Sequence, residues 1–399
     1  MNIALLSNLY PPEVIGGAER HVQCVAERLV ERDHQVSVIT TGTDLDGDHN
    51  QFNRENINGV NVYRFEPFTV YTPLEHQDAP RWQKPIQHFA DLWNPHVYWM
   101  VKKCLSSVRP DISHIHNFGG LSNAVFPASS LYSDVLHTIH DYSLVSPHAS
   151  MFTNGKIIEP GLASRVYQRF NRLTVEPYLD YATAPSQFML DMHRQYGLLE
   201  NIESGRLRLG IEHTNEYTNW EPTDNEFRCL FAGQLTYQKG VDVLIDAFSN
   251  FTAPTAPTAR LDILGKGPER ETLESSVDDT RITFHGFVSE AELHERFKDA
   301  HLTIVPSRWY DNSPMVIYES FMHGTPVLGA EIGGIPELIE EGTTGYLFEP
   351  EDPEKLRVSL KRAEQDIDES IHSNVCARAQ ELTLTKHVED LIELYEGLV

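Results

Sequence analysis

Arg308-Trp309-Tyr310-Asp311-Asn312-Ser313-Pro314-Met315-Val316-Ile317-Tyr318-Glu319 is the stretch on which the reading of this chain turns. It sets two carboxylates, Asp311 and Glu319, eight residues apart around an expected helix over Pro314–His323. Ser313 can cap that helix, and Pro314 suits its first turn, where a missing backbone donor costs nothing. Glu319 then falls about one and a half turns in, at roughly 3.6 residues per turn, while Asp311 stays on the preceding loop. A helix N-terminus with free amides is a ready anion site. A carboxylate beside it makes sense when the ligand also brings hydroxyls. Phosphates plus vicinal hydroxyls describe a sugar nucleotide.

Working outward, strands are expected at Phe227–Ala232, Arg260–Leu264, Ile282–Gly286, Leu302–Pro306 and Thr325–Gly329, with helices at Gly240–Phe248 and Glu290–Asp299. The other half alternates in the same way. Short apolar strands stand at Asn2–Ser7, Gln35–Thr40, Val60–Phe65, Asp111–His116 and Leu136–His140, and Ala18–Glu31 carries a helical stripe of Val22, Val25, Ala26, Leu29 and Val30. Strand–helix alternation implies parallel sheets with covered faces. The expected architecture is α/β: two doubly wound, Rossmann-like domains facing a central cleft, with ligands at the carboxyl ends of the strands. Residues 1–200 form the first domain, 206–375 the second, and 376–399 a terminal helical segment that packs back on the first. Between Phe68 and Val108 lies an aromatic insertion with Trp82, Lys84, Trp93, Tyr98, Trp99, Lys102 and Lys103, either a packed helical insert or a membrane-docking element.

The 399 residues fit two domains of about 100–200 residues each. Their 40% hydrophobic content with 24 Gly and 23 Pro is that of a globular enzyme. The start, Met1-Asn2-Ile3-Ala4-Leu5-Leu6-Ser7, lacks the basic residues of a signal peptide, and no run reaches the roughly 18 apolar residues of a membrane span. Cys24, Cys104, Cys229 and Cys376 make neither a metal pattern nor a disulfide framework, which fits a reduced cytoplasm or the inner face of its membrane. The net charge of −26 argues against nucleic acid or bare anionic membrane as a general partner. Only 10 of the 32 basic residues are lysine, against 58 acidic ones, a balance favoured in a high-salt, halophilic cytoplasm.

Several short motifs carry chemistry. Gly16-Gly17-Ala18-Glu19 enters the first helix and lets backbone approach an anion, though it is not the dinucleotide fingerprint. Gly233-Gln234-Leu235-Thr236-Tyr237-Gln238-Lys239-Gly240 also joins a strand to a helix. Lys239 there opposes the helix dipole unless an anion sits beside it. Gly333-Gly334-Ile335-Pro336-Glu337 repeats the theme. His114, His116, His137 and His140 end two strands; their spacing is not that of a zinc site, and His140-Asp141 stands out for general acid/base or donor work. Asp44-Leu45-Asp46-Gly47-Asp48, with Glu55 beyond, lacks the glycine and helices of a calcium loop and reads as acidic surface.

Taken in order, these motifs resemble glycosyltransferase family 4, retaining sugar-nucleotide transferases of the GT-B fold. The resemblance runs through Tyr10-Pro11-Pro12-Glu13, Gly16–Glu19, Val135–Tyr142, Gly233–Phe248, Leu261–Pro268, Phe284–Val288, Pro306–Glu319 and Gly324–Glu337. It implies that Gly16, Gly17 and Lys239 approach the donor phosphates and that Glu319 accepts from both ribose hydroxyls. It places Val288 along the base, amides of Asn312, Ser313, Pro314 and Met315 on the distal phosphate, Asp311 on the donor sugar, and His140 over that sugar. Two positions depart from the pattern: Asp311 replaces the usual Glu, and Gln234 the usual Arg, leaving Lys239 as the cation of its loop.

The resemblance implies transfer of a hexose from a nucleoside-diphosphate sugar to a hydroxyl acceptor. That acceptor is a glycan or lipid-linked glycan of surface polysaccharide or glycoprotein assembly, and no metal is required. A sugar-nucleotide epimerase, a phosphorylase on the same scaffold and a non-catalytic sugar-nucleotide-binding subunit remain open.

Overall fold

The computed structural model describes residues 1–13, 16–42, 49–70, 80, 82, 87, 90–147, 149–153, 155–159, 161–212 and 226–399, the side chains of 162 and 163 excepted. The Asp44–Asp48 loop and Lys84 lie outside these residues. The chain divides into two units. The first is Met1–Met151 with Glu159–Gly210 and Leu384–Val399; the second is Ile211–Thr383 with Phe152–Ile158. Residues 376–383 thus stay with the second unit, and the return to the first falls at Leu384 instead of 376.

The strands of the first unit are β1 (Asn2–Leu6), β2 (Gln35–Thr41), β3 (Asn53–Ile57), β4 (Val60–Phe65), β5 (Ile112–Ile115) and β6 (Asp134–Thr138), joined by β9 (Tyr181–Ala184) and β10 (Glu203–Arg206). The short pair β7 (Phe152–Thr153) and β8 (Lys156–Ile157) is a separate hairpin of the second unit. The sheet order is β10-β9-β6-β5-β1-β2-β4-β3. Its pairings are parallel except at the outer edge, where β3 runs antiparallel to β4. Inner strands such as β2 are buried along nearly their whole length, as covered parallel strands must be, while the Asn-Arg-Glu-Asn sequence of β3 suits an exposed edge.

The second unit holds β11 (Glu226–Ala232), β12 (Thr258–Leu264), β13 (Ile282–Gly286), β14 (Leu302–Val305), β15 (Val327–Ala330) and β16 (Gly345–Phe348), all parallel, in the order β13-β12-β11-β14-β15-β16. Renumbered from one, this is the doubly wound order 3-2-1-4-5-6. The chain reverses direction across the sheet between β11 and β14, and in the first unit between β1 and β5. Ligands bind such sheets where the loops leaving those two strands diverge.

The helices described in the first unit are α1 (Gly17–Glu31), α2 (Pro95–Val108), α3 (Val125–Ser129), α4 (Leu162–Val175) and α5 (Gln187–Gln195). The second unit has α6 (Val241–Ser249), α7 (Arg270–Ser275), α8 (Glu290–Asp299), α9 (Met315–Met322), α10 (Pro353–Asp366) and α11 (Glu369–Glu381); α12 (Leu384–Leu398) returns to the first. Val22, Val25, Ala26 and Leu29 of α1 recur at helical spacing and meet Leu384, Val388, Leu391 and Tyr395 of α12 in one core with Ile3, Leu5 and Val38.

The C-terminal end of the insertion is a helix, α2. Asn94 accepts hydrogen bonds from the amides of His96 and Val97 at 3.0 and 3.3 Å, Pro95 takes the first position, and α2 buries Val97, Met100, Val101, Cys104 and Leu105. It is the crossover from β4 to β5 that any doubly wound sheet requires. Aromatic content masked its periodicity. Trp82, Trp93 and Trp99 remain 67, 41 and 63% exposed. Among the described residues no helix is long and apolar enough to cross a membrane.

Candidate active site

The loops leaving β11 and β14 meet at the reversal point of the second sheet. The first carries a single 3₁₀ turn, Tyr237–Lys239, which ends on Gly240 with φ +66°, a left-handed conformation that favours glycine. A Cβ at Gly240 would lie 2.0 Å from the Pro306 carbonyl oxygen. This close approach presses the lysine loop against the end of β14, and the Arg308 amide donates to the Gln238 carbonyl at 2.9 Å. Gly240→Ala is expected to cost on the order of 2 kcal/mol, from backbone strain and from the displaced carbonyl. Urea unfolding measures it, and an unchanged midpoint would contradict the close approach.

Lys239 therefore projects across to the second loop. Its Nζ donates to Asp311 Oδ2 at 2.6 Å, with the side chains 23 and 10% exposed, and lies 5.6 Å from the centre of the Trp309 ring. The electrostatic conflict read at this lysine is met within the protein by the Asp311 carboxylate. Gly333 and Gly334 serve the same loop. A Cβ on Gly333, φ +62°, would fall 2.4 Å from the Asp311 carbonyl oxygen, and the Gly334 amide donates to that oxygen at 2.7 Å. Here the glycine pair supports the loop with its backbone, ahead of the 3₁₀ turn Ile335–Glu337.

The capping of α9 differs from the sequence reading. Pro314 occupies the cap position with ψ 120°, no side chain caps the helix, and Ser313 Oγ turns to the Tyr318 hydroxyl at 2.7 Å. Tyr318 is fully buried, so its hydroxyl takes the partner that the cap would have used. Pro314 offers no side-chain cap; the Ile317 amide donates to the Pro314 carbonyl at 3.0 Å, and the helix proper begins at Met315. A helix start of this kind is suited to an anion. Asp311 and Asn312 are nearly buried, Glu319 is half-buried on the helix, and Gln234 is exposed. Val288 packs with Val316 against Leu230, Leu264 and Phe297, which sets residues 286–288 beside the start of α9.

Around these loops lie four buried polar atoms without a hydrogen-bond partner among the described residues: Thr236 Oγ1, Ser307 Oγ, Arg308 Nε and Trp309 Nε1. Folded proteins rarely leave such groups unmatched, and a polar ligand or water at these loops would satisfy them. The residue missed by sequence reasoning is Arg308. Its guanidinium forks onto Asp242 at 2.7 and 2.6 Å, donates to the Tyr237 carbonyl at 3.2 Å and lies 4.2 Å from the Tyr237 ring centre. It fastens the lysine loop to α6. No spacing rule could have found it, since Arg308 and Asp242 are 66 residues apart.

The first unit gathers its own group of residues near the reversal point of its own sheet, between β1 and β5. Gly16 precedes α1, and its amide donates to Glu19 Oε2 at 2.8 Å; Gly16 and Gly17 are exposed and Glu19 is buried. One turn on, His21 joins a line of imidazoles. Its ring centroid is 6.3 Å from that of His140 and 4.7 Å from that of His387 on α12. His116 Nδ1 and His140 Nε2 are 3.0 Å apart with their rings stacked, so one donates and the other accepts. Burial, reinforced by neighbouring imidazoles, lowers the pKa of His140 to about 3 and that of His116 well below the ordinary range. Both are neutral at pH 7, and His140 there is a dipolar hydrogen-bonding group, not a cation. His114 bonds Tyr395 and Thr138 at 2.7 Å each, and His137 bonds the Ile115 carbonyl at 2.8 Å, so these two are structural. Asp141 accepts from the Ser143 amide at 2.8 Å. No group of three or more His, Cys, Asp or Glu among the described residues is placed to hold a metal ion.

Two Rossmann-ordered sheets, each with a glycine-led loop entering a helix at its reversal point, define an α/β protein of the GT-B type. Residues 15–203 match the family model described as Glycosyltransferase Family 4, and residues 215–381 match Glycosyl transferases group 1. The chain belongs to glycosyltransferase family 4 and is a transferase enzyme. It is 28% identical to an uncharacterised glycosyltransferase of Methanocaldococcus jannaschii, over 92% of this chain and 90% of that one. It is 24% identical to a GDP-mannose-dependent alpha-mannosyltransferase of Corynebacterium glutamicum, over 100 and 91%. Among solved structures, the fold matches a sucrose-phosphate synthase from Thermosynechococcus elongatus with TM-score 0.74 and 20% identity, covering 99 and 98% of the chains. It also matches Anabaena HepE in complex with UDP, with TM-score 0.70 and 18% identity over the whole of both.

Proposed function

We propose that the enzyme moves a hexose from a nucleoside-diphosphate sugar to a hydroxyl of a glycan or lipid-linked glycan, with retention at the anomeric carbon. The observation that carries this reading is the Lys239–Asp311 pair at 2.6 Å beside the uncapped N-terminus of α9, with Glu319 on the same helix. An ammonium and a helix N-terminus suit a diphosphate; the two carboxylates suit sugar and ribose hydroxyls. Catalysis on this reading is positional and electrostatic. Lys239 and the amides of α9 take up charge as the diphosphate departs, neutral His140 and Asp311 orient the sugar, and no metal is assigned a part. The relatives lend support: one is named for GDP-mannose, HepE was solved with UDP and with UDP-glucose, and another relative is encoded in a Klebsiella pneumoniae cps region. Exposed Trp82, Trp93 and Trp99, with Lys102 Nζ 5.2 Å from the Trp99 ring centre, favour an acceptor held at a membrane surface.

The test is a thermal-shift panel of UDP, GDP, dTDP and ADP sugars, since a ligand of the native state raises its stability. One of the four is expected to shift the midpoint. Glu319→Ala should lower that shift and reduce kcat/KM at least about tenfold, roughly 1.4 kcal/mol. Absence of any shift across the panel, or full activity in the variant, refutes the reading.

A further inference from the structure

We propose that the groove between α4 and α5 of the first unit is a second binding site, taking a phosphate-bearing anion. A cavity of about 420 Å³ there is lined by Arg165, Arg169, Arg172, Gln168, Gln195 and Tyr196 among others. The three arginines recur at i, i+4 and i+7, which places their guanidinium groups along one side of α4. No acidic residue occurs in α4. Among the described residues neither Arg165 nor Arg169 has a side-chain ion pair; Arg172 Nη1 reaches the Gly197 carbonyl at 3.5 Å, with Glu176 as the nearby carboxylate. Glu176 is itself engaged, accepting from the Leu199 amide at 2.7 Å.

Acidic residues outnumber basic ones 58 to 32 over the chain, and Arg228, Arg260, Arg281 and Arg308 are each ion-paired. Gathering three guanidinium groups around one cavity costs electrostatic energy that a bound anion would remove. The planar fork of arginine fits phosphate oxygens in pairs, and the volume is in the range of small-molecule sites. Gln168, 5% exposed, donates through Nε2 to the Val145 carbonyl at 3.1 Å, which leaves its own carbonyl for a ligand hydroxyl.

The site is distinct from the one already described. Gly16 and His140 follow the carboxyl ends of β1 and β6. Gln195 and Gly197 end α5, which runs back to the opposite edge of the same parallel sheet before β10. The ligand has two sources compatible with this chemistry, a free phosphate ester or the headgroup of a lipid phosphate. Val166 and Leu173, 67 and 62% exposed on the same helix, give the groove an apolar shoulder that an acyl chain would use.

The experiment is hydrogen exchange with inorganic pyrophosphate, alongside flotation with vesicles of phosphatidylcholine with and without phosphatidic acid. Both use the full chain and the R165Q/R169Q variant, whose substitutions sit on the exposed surface. Pyrophosphate is expected to slow exchange across residues 162–175 and 193–199, with at least tenfold weaker affinity in the variant. Peptides covering 233–240 and 311–319 report donor-site binding separately, so failure there leaves this result interpretable. Protection together with phosphatidic acid-dependent flotation, both lost in the variant, assigns a lipid phosphate. Protection lost in the variant without flotation assigns a free phosphate ester. No protection of either segment, or equal protection in variant and wild type, overturns the proposal.

Discussion

Lys239→Ala is expected to lower kcat/KM about 100-fold, close to 2.7 kcal/mol of transition-state stabilisation. Two effects combine. The variant loses an ammonium aimed at the departing diphosphate, and it strands the Asp311 carboxylate, 10% exposed, which Lys239 holds at 2.6 Å. An uncompensated carboxylate beside the amides of α9 would repel the donor it is meant to orient. The second effect can be isolated. Asp311→Asn removes the stranded charge, so the double variant should bind nucleoside diphosphate more tightly than Lys239→Ala alone, even though turnover stays low. Measured by calorimetry, equal affinities in the two variants would mean that the pair is an ordinary surface ion pair, worth little. Retained turnover in Lys239→Ala would remove the lysine from the mechanism altogether.

The second large effect is acid unfolding of the first unit. Burial holds the pKa values of His137, His193 and His387 at about 4, and those of His21, His114 and His116 well below the ordinary range. An unfolded histidine titrates near 6.5, so as pH falls the unfolded chain takes up protons first and stability declines through that window. Each histidine held near 4 then loses about 2 kcal/mol by pH 5. Asp91, raised to about 6 by burial, acts in the opposite sense: its folded form binds the proton first and returns about 1.4 kcal/mol at pH 5. Asp141 is shifted in the same direction as Asp91 and also by burial. The histidines outnumber these carboxyls, so the net expectation is a loss of several kcal/mol between pH 7.5 and pH 5. In the second unit, His301 is at about 4 from burial. Hydrogen exchange at the two pH values should therefore show the loss concentrated in β1, β5, β6 and α12. Equal or greater stability at pH 5 would mean that these rings are solvated in solution.

Much of the fold was legible in the residues. Nearly every strand proposed from short apolar runs is present within a residue or two, because each covered parallel strand must be apolar on both faces. The helices α1 and α8 were equally plain, the first from its apolar stripe, the second over Glu290–Asp299. α2 fits the packed helical insert that is one of the two readings of Phe68–Val108, with Val97, Val101 and Leu105 buried among the aromatic residues that hide its period. The cap of α9 was misassigned. Ser313 is a good cap by local chemistry, yet a buried tyrosine hydroxyl five residues on competes for it and wins.

What the order of amino acids determined alone is local: strand and helix periods, glycine at turns of positive φ, and a lysine and two carboxylates on loops that leave strands. Each depends on neighbours a few residues away. Which of those groups touch was decided by the tertiary structure, through the adjacency of β11 and β14 in the sheet. That adjacency brings Lys239 to Asp311 across 72 residues and Arg308 to Asp242 across 66. Packing of the first unit likewise set the line of histidines from α1 to α12, since burial, which governs their protonation, is a property of the packed unit and of no single segment.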